Sequence, residues 1–513
     1  MTDHSDSQSV LLAPGQTGIA DIERIALTGH KVLLSAQASA NIEAGHACLL
    51  RHIAAGTTIY GVNTGLGANV DTPRQPSTAS AQQHSIIWAR ASGAGPSATN
   101  AQVRAMMAVR LARLTLGRSG ISPAVATALA TMLNNNITPV VPLVGALSEG
   151  DLAPMAHIAS ILTGKGHASV AGKGRVSGAE AFAQIGIPLP ALGPKDGLTL
   201  ISTNSASIGL ACLNLVSIHR LMRAHIAALA LSCEGFCANL SPFQPGSVHL
   251  RPASGQMEVS YALLGLLDGG TLNHEGSARR LQDPISFRSA ASIAGGALES
   301  LQQAQRAVEL ELSSSDDNPA IVAETNSIIP NGNFDPTHVA VAVDALHLAL
   351  ARVAAATGER IMKMMSPSLS GLPRFLAEPG GDGTGFAPVQ KTVAALVAEI
   401  VHDATPLPPV VIPVAERVED YASLLFPALC HGKRLISRMY ELSAIEIMVA
   451  VRAIVLRPPV CLGAGTQALL DRLGSLCPQL PLEHPVADNI ALLTQAIEHP
   501  DFLASFGILA DGE

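Results

Sequence analysis

Apolar residues recur along this chain mostly at helical spacing. Within residues 103–116 they fall at 103, 106, 107, 111 and 114, one face of a helix that Gly117 stops. Longer Ala/Leu/Val-rich patterns cover 198–231, 293–312, 339–357, 389–402 and 421–455, with shorter ones at 80–91 and 261–267. Helices this long and apolar predict an elongated, parallel-running bundle rather than alternating strand–helix units. Residues 1 to about 20 are polar and without period, so they predict a loose start, and 22–52 alternates short helical patterns with breaks. Three stretches interrupt the helices: a Gly- and Asn-rich loop at 57–70, a Gly- and Pro-rich excursion of loops and short strands at 168–196, and a Pro-rich crossover at 405–413. The expected fold is mainly α, with a loop-rich N-terminal domain (1–200), a central long-helix bundle (201–456) and a C-terminal helical portion (457–513).

Composition sharpens this picture. Of 513 residues 48% are hydrophobic, only 3% aromatic and only 14% charged. So little charge leaves helix faces to be buried between subunits, which predicts an oligomer. The net charge of −8 comes without a basic block, which speaks against nucleic acid as a partner. No apolar run reaches 18 residues without a charge or a break, and the N-terminus is polar, so neither a membrane span nor a signal peptide is expected. Seven scattered cysteines fit a reducing compartment, and a cytoplasmic location is expected. Cys233 and Cys237 have helical metal-pair spacing, but no second pair or His cluster completes a site, so buried thiols and no metal are expected.

The candidate chemistry centres on 142–157, PLVGALSEGDLAPMAH. A Gly-Asp pair before an Ala-rich helical pattern marks a helix start, with Asp151 as N-cap and Pro154 in the first turn. Such a start offers N–H groups and partial positive charge to an anion or a reacting carbonyl. Tyr60, one of four tyrosines, heads the 57–70 loop, where it either packs or transfers protons. Arg90 closes its helix.

Seven pieces occur in one order: YGVNTGLG (60–67), GDLAP (150–154), QDPISFR (282–288), DNP (317–319), GNF (332–334), SGLPRFL (370–376) and Gln390 with Glu399. Together they resemble the histidine, phenylalanine and tyrosine ammonia-lyase family over nearly the whole chain. The resemblance implies a helical subunit and a homotetramer whose active sites combine three chains. It also implies an internal Ala-Ser-Gly triad that cyclises and loses water to give the electrophile methylidene-imidazolone (MIO). Here Ser148, Glu149 and Gly150 precede Asp151, and Glu149 stands where the dehydrating Ser belongs. Glutamate has no β-hydroxyl to eliminate. Ser148 could serve only if the Glu149 nitrogen attacked the Leu147 carbonyl between two side-chain-bearing residues. The family's Asn that assists the electrophile is Ser202 in LISTN, with Asn204 following among the expected substrate contacts. The chain is therefore expected to carry no cofactor.

The resemblance further implies Tyr60 as base and Arg288 as carboxylate anchor, with Glu149 as acid/base or substrate contact. Gln282, Phe334 and Glu399 match lining positions, Glu399 near the substrate amino group. Ile285 replaces the family's second Tyr, and Asp335 replaces the residue after GNF, commonly His. Arg90 falls where the family sets side-chain selectivity. It would either welcome a second anionic group or bridge to Glu149 or Asp335. The expected function is a cofactor-free lyase, isomerase-like or cyclising enzyme acting on a small amino acid or (di)carboxylate. Without an electrophile, a substrate with an acidified proton or a leaving group better than ammonia is favoured. The alternatives are an ordinary MIO ammonia-lyase using Ser148 and a non-catalytic metabolite-binding relative.

Overall fold

Long helices dominate the computed structural model, as the periodicity predicts: Ser205–Phe236, Ala290–Leu312, Thr337–Met364 and Leu425–Val455. It describes residues 9–73, 79–170, 174–380, 383–408, 412–474 and 485–509. Among these, strands form only small sheets of two or three members, so the fold is mainly α. Cys477 and part of the 405–413 crossover lie outside the described residues.

The chain divides into two compact units, each gathered from three stretches. The first comprises 1–216, 305–343 and 407–430. The expected loose start is corrected here. Ser9–Leu12 is a strand running parallel to Lys31–Leu34, with Val10 and Leu12 buried. Alternation over four residues was too short to stand out from a polar background. Helix Ala36–Ala54 begins at Ser35, whose hydroxyl accepts the Ala38 N–H at 3.1 Å. Helix Asn100–Leu114 starts with a Thr99–Gln102 capping box, and every residue from Gln102 to Leu114 is buried. A helix buried all round must satisfy its polar members internally, and Arg110 and Arg113 do so against Asp316, Asp317 and Glu311. Helix Ala79–Arg90 carries the chain's single tryptophan. Trp88 is 47% exposed, donates to Thr163 Oγ1 at 2.9 Å, and has the Lys165 ammonium 5.9 Å from its ring. The 168–196 excursion contains the expected short strands, His167–Val170 and Gly174–Ser177, paired antiparallel.

The second unit comprises 217–304, 344–406 and 431–513. Three of its helical segments meet at one buried ion pair. Arg360 donates from Nε to Glu446 Oε1 at 2.6 Å and from a second nitrogen to Oε2 at 3.0 Å, while Ser232 Oγ donates to Oε1 at 3.0 Å. Phe236 stacks on Phe287 with centroids 4.2 Å apart. Helices Ala464–Leu473 and Val486–Glu498 form the C-terminal portion.

By length and mean hydropathy, 196–236 and helix Thr337–Met364 would pass as membrane spans, but 78% and 61% of their apolar windows are buried within the protein.

Candidate active site

A cavity of about 420 Å³ lies within the first unit. Its floor is a break between helices Asp196–Ile201 and Ser205–Phe236, where Ser202 faces the cavity. Buried charge holds that break open. Asp316 accepts the Thr203 hydroxyl at 2.6 Å, the Asn204 N–H at 2.8 Å and an Arg113 nitrogen at 2.6 Å. Burial alone would raise the Asp316 carboxyl, but Arg113 and Arg110, with the Thr203 and Asn204 bonds, hold it below its ordinary value. Arg110 and Lys195 flank Asp317 at 2.8 and 3.9 Å. Burial brings the Lys195 ammonium down to about 8. Asn204, expected to touch substrate, is fully buried beneath the cavity, where its amide nitrogen donates to Glu311 at 3.0 Å.

One wall comes from 147–152. Gly150 has φ +82°, in the left-handed region that favours glycine, and the backbone turns there into helix Leu152–Leu162. Asp151 occupies the N-cap position but does not cap. Its carboxylate is turned to Ser207, accepting the backbone N–H at 2.6 Å and the hydroxyl at 2.9 Å. Burial pushes the Asp151 carboxyl up to about 7 despite those bonds. Ser148 is fully buried and does not line the cavity. Its hydroxyl accepts the Phe426 N–H at 2.7 Å and lies 3.0 Å from Ser207 Oγ. The Leu147 carbonyl accepts the Leu424 N–H at 3.1 Å. Glu149, the next residue, lines the cavity.

The 60–67 loop and a strap at 414–424 supply further lining. Tyr60 Oη accepts the Gly67 N–H at 3.0 Å. The strap brings Val418, Glu419, Asp420 and Tyr421 to the cavity, and Tyr421 Oη pairs with Thr337 Oγ1 at 2.6 Å. Phe334, Asp335, Leu152 and Leu198 complete the relevant lining, with Arg90 at the end of helix Ala79–Arg90. Arg90 donates to the Ile86 carbonyl at 3.4 Å. Burial first, then Glu419 by charge and hydrogen bond, then Asp335 and Asp420, push the Glu149 carboxyl up to about 7. Among the described residues no three His, Cys, Asp or Glu side chains converge as ligands for one metal ion.

Six of the residues named from sequence thus share one cavity: Tyr60, Arg90, Glu149, Ser202, Phe334 and Asp335. Gln282, Ile285, Arg288 and Glu399 belong to the second unit and are not in its lining. There Arg288 donates to Gln282, Ile285 is 58% exposed, and Glu399 pairs with Arg438 at 2.7 Å. Glu399, Arg438, His402, Asp403 and Arg434 line a separate polar recess on helices Val389–Asp403 and Leu425–Val455. Sequence reasoning missed Glu419, Asp420 and Tyr421. Their only signal was an acidic pair beside a scarce tyrosine just past a Pro-rich crossover, which reads as a solvated loop.

Residues 17–475 match the family described as aromatic amino acid lyase. A histidine ammonia-lyase of Bradyrhizobium diazoefficiens is 33% identical over 494 residues, covering 96% of this chain and 95% of the relative. Among solved structures, the ergothioneine-degrading enzyme ergothionase from Treponema denticola, in complex with desmethyl-ergothioneine sulfonic acid, superposes with a TM-score of 0.91. It is 26% identical, and the match covers 98% of this chain and 99% of that one. Tyrosine aminomutase from Streptomyces globisporus gives a TM-score of 0.91 at 27% identity over 96% of this chain and 98% of that one.

Proposed function

The chain belongs to the aromatic amino acid lyase family and is a carbon–nitrogen lyase in class, and from that premise we propose that it works by acid–base chemistry alone, without MIO. The observation that carries this reading is Glu149 in the cavity lining, at the family's dehydrating Ser position. The residues present do not fit the prosthetic group. Glu149 has no hydroxyl to lose. The Ser148 hydroxyl is buried and engaged by Phe426 and Ser207, and the Leu147 carbonyl that a ring through Ser148 would consume already accepts Leu424.

Tyr60 takes the proton from the substrate carbon next to the one that bears the leaving group, and the Gly67 N–H holds part of the charge of a phenolate there. Glu149 donates or accepts the second proton. Ser202 and Phe334 shape the floor and wall. Arg288, with Gln282, Ile285 and Glu399, completes the site from neighbouring copies in a cytoplasmic homotetramer, where its guanidinium fork suits the substrate carboxylate. Arg90 is outnumbered by Glu149, Asp335, Glu419 and Asp420 in the lining, which favours a substrate bearing an amino group over one bearing a second anion. Histidine, tyrosine and ergothioneine, named for the relatives, make the first assay panel.

A second reading, deamination by MIO formed at Ser148, is favoured by the histidine ammonia-lyase relatives. Intact mass separates the two: the cofactor-free reading expects the mass of the plain sequence, and loss of one water overturns it. On any substrate turned over, Tyr60→Phe is expected to lower kcat by about 10²–10⁴-fold. Unchanged kcat removes Tyr60 as the base.

A further inference from the structure

We propose that Gln83 is a positioning residue: its buried side-chain amide fixes the Tyr60 loop against the Ser202 floor and so sets where the base stands. This rests on the reading of Tyr60 as base. Gln83 is fully buried on helix Ala79–Arg90 and does not itself line the cavity. Its Nε2 donates to the Gly61 carbonyl at 3.4 Å, and its Oε1 accepts the Leu198 N–H at 3.2 Å. Each end therefore holds an element that reaches the cavity. Gly61 directly follows Tyr60. Leu198 lies in the first turn of helix Asp196–Ile201, where N–H groups lack a partner within the helix. The Leu198 carbonyl in turn accepts the Ser202 N–H at 2.9 Å. Gln83's own helix is the third element, bringing Arg90 to the lining about two turns further on. One amide thus joins the elements that carry Tyr60, Ser202 and Arg90.

The surrounding packing leaves little slack. Gly61 has φ +71°, and a Cβ there would lie 2.5 Å from Leu198 Cδ2. A Cβ on Gly197 would lie 2.6 Å from the Gln83 carbonyl oxygen. Apolar contact alone is non-directional, whereas an amide with a donor end and an acceptor end fixes orientation as well as distance. The loop is also tied to itself. Asn63 Oδ1 accepts the Ile59 N–H and its Nδ2 donates to the Thr57 carbonyl, both at 2.7 Å. The Gly67 N–H reaches Tyr60 Oη at 3.0 Å. A loop stiff within itself moves as one piece, so its fastening to the floor decides where the phenol sits. Removing the amide leaves the Gly61 carbonyl and the Leu198 N–H without this partner, and a buried group left unpaired is costly. The loop then shifts toward other partners and takes Tyr60 with it. A displacement of about 1 Å costs a reacting geometry about 10²-fold in rate.

Fluorine NMR on the full-length protein, with fluorotyrosine at its four tyrosines, tests this without substrate. Tyr60→Phe assigns the Tyr60 line. The reference is Tyr440 in the second unit, whose hydroxyl donates to the Ser217 carbonyl at 2.9 Å. In Gln83→Met, which keeps the length and drops the amide, the Tyr60 line is expected to move or split while the Tyr440 line stays. Gln83→Asn carries an amide too short to hold both partners. It is expected to do the same and serves should the first variant not fold, with circular dichroism as the check. A Tyr60 line unmoved in the folded variants, or moving only together with Tyr440, overturns the proposal. On any substrate turned over, either variant is expected to lower kcat by about 10²-fold with KM little changed, and an undiminished kcat overturns it as well. Turnover that survives in Tyr60→Phe removes the base reading alone, since the fluorine result is read without it.

Discussion

At the scale of single residues, Asp151 makes a sharp statement about pH. Burial holds its carboxyl near 7 in the folded chain against an ordinary 3.8. Below 3.8 both folded and unfolded forms carry the proton. As pH rises, the unfolded chain releases it first, so stability contributed by this group is present at low pH and is lost between 3.8 and about 7. Asp151→Asn has no proton to lose. Its stability relative to wild type, measured by urea unfolding from pH 5 to 8, should therefore climb, by at most about 4 kcal/mol over the full window. A flat difference would assign the burden elsewhere. The candidate residues that could be read from sequence were those embedded in local patterns: Tyr60 on a glycine loop, Glu149 before Gly-Asp, Arg90 at a helix end. Glu419 was not legible, because its meaning comes from a partner 270 positions away in the chain, and no local pattern encodes such an encounter.

At the scale of elements, the helices were readable because burying one face imposes a 3.6-residue period, and the long ones fall where that period placed them. The break at 202–204 was not, since it depends on Asp316, in an irregular segment, and Arg113, on another helix, reaching it from far along the chain. The strand Ser9–Leu12 escaped for a similar reason, its partner lying in a segment read as helix and breaks. One buried ion pair ties together three helical segments of the second unit. Arg360 and Glu446 are 1% and 0% exposed, so Arg360→Met strands a buried carboxylate and should cost about 3–5 kcal/mol in chemical unfolding. Arg360→Met with Glu446→Leu should recover most of that loss, because the stranded charge, rather than the missing attraction, is the larger penalty. A double variant as unstable as the single one would contradict this.

At the scale of the whole molecule, the proposed function has an assembly corollary. Tyr60 and Glu149 sit in one unit while Arg288 and Glu399 sit in the other. A site shared among copies predicts that Tyr60→Phe and Arg288→Ala chains, each inactive alone, regain a fraction of wild-type turnover when co-expressed. Light scattering should give four times the 52.8 kDa chain mass. No regained turnover would place the whole site within one chain. One further property needs no partner. A lone indole stands two positions before Arg90, on the same helix, anchored by Thr163. All tryptophan emission from this protein therefore originates from one half-exposed indole at the Thr163 contact. Loss of that contact on unfolding can be followed on unlabelled wild-type chain by the colour and intensity of its fluorescence.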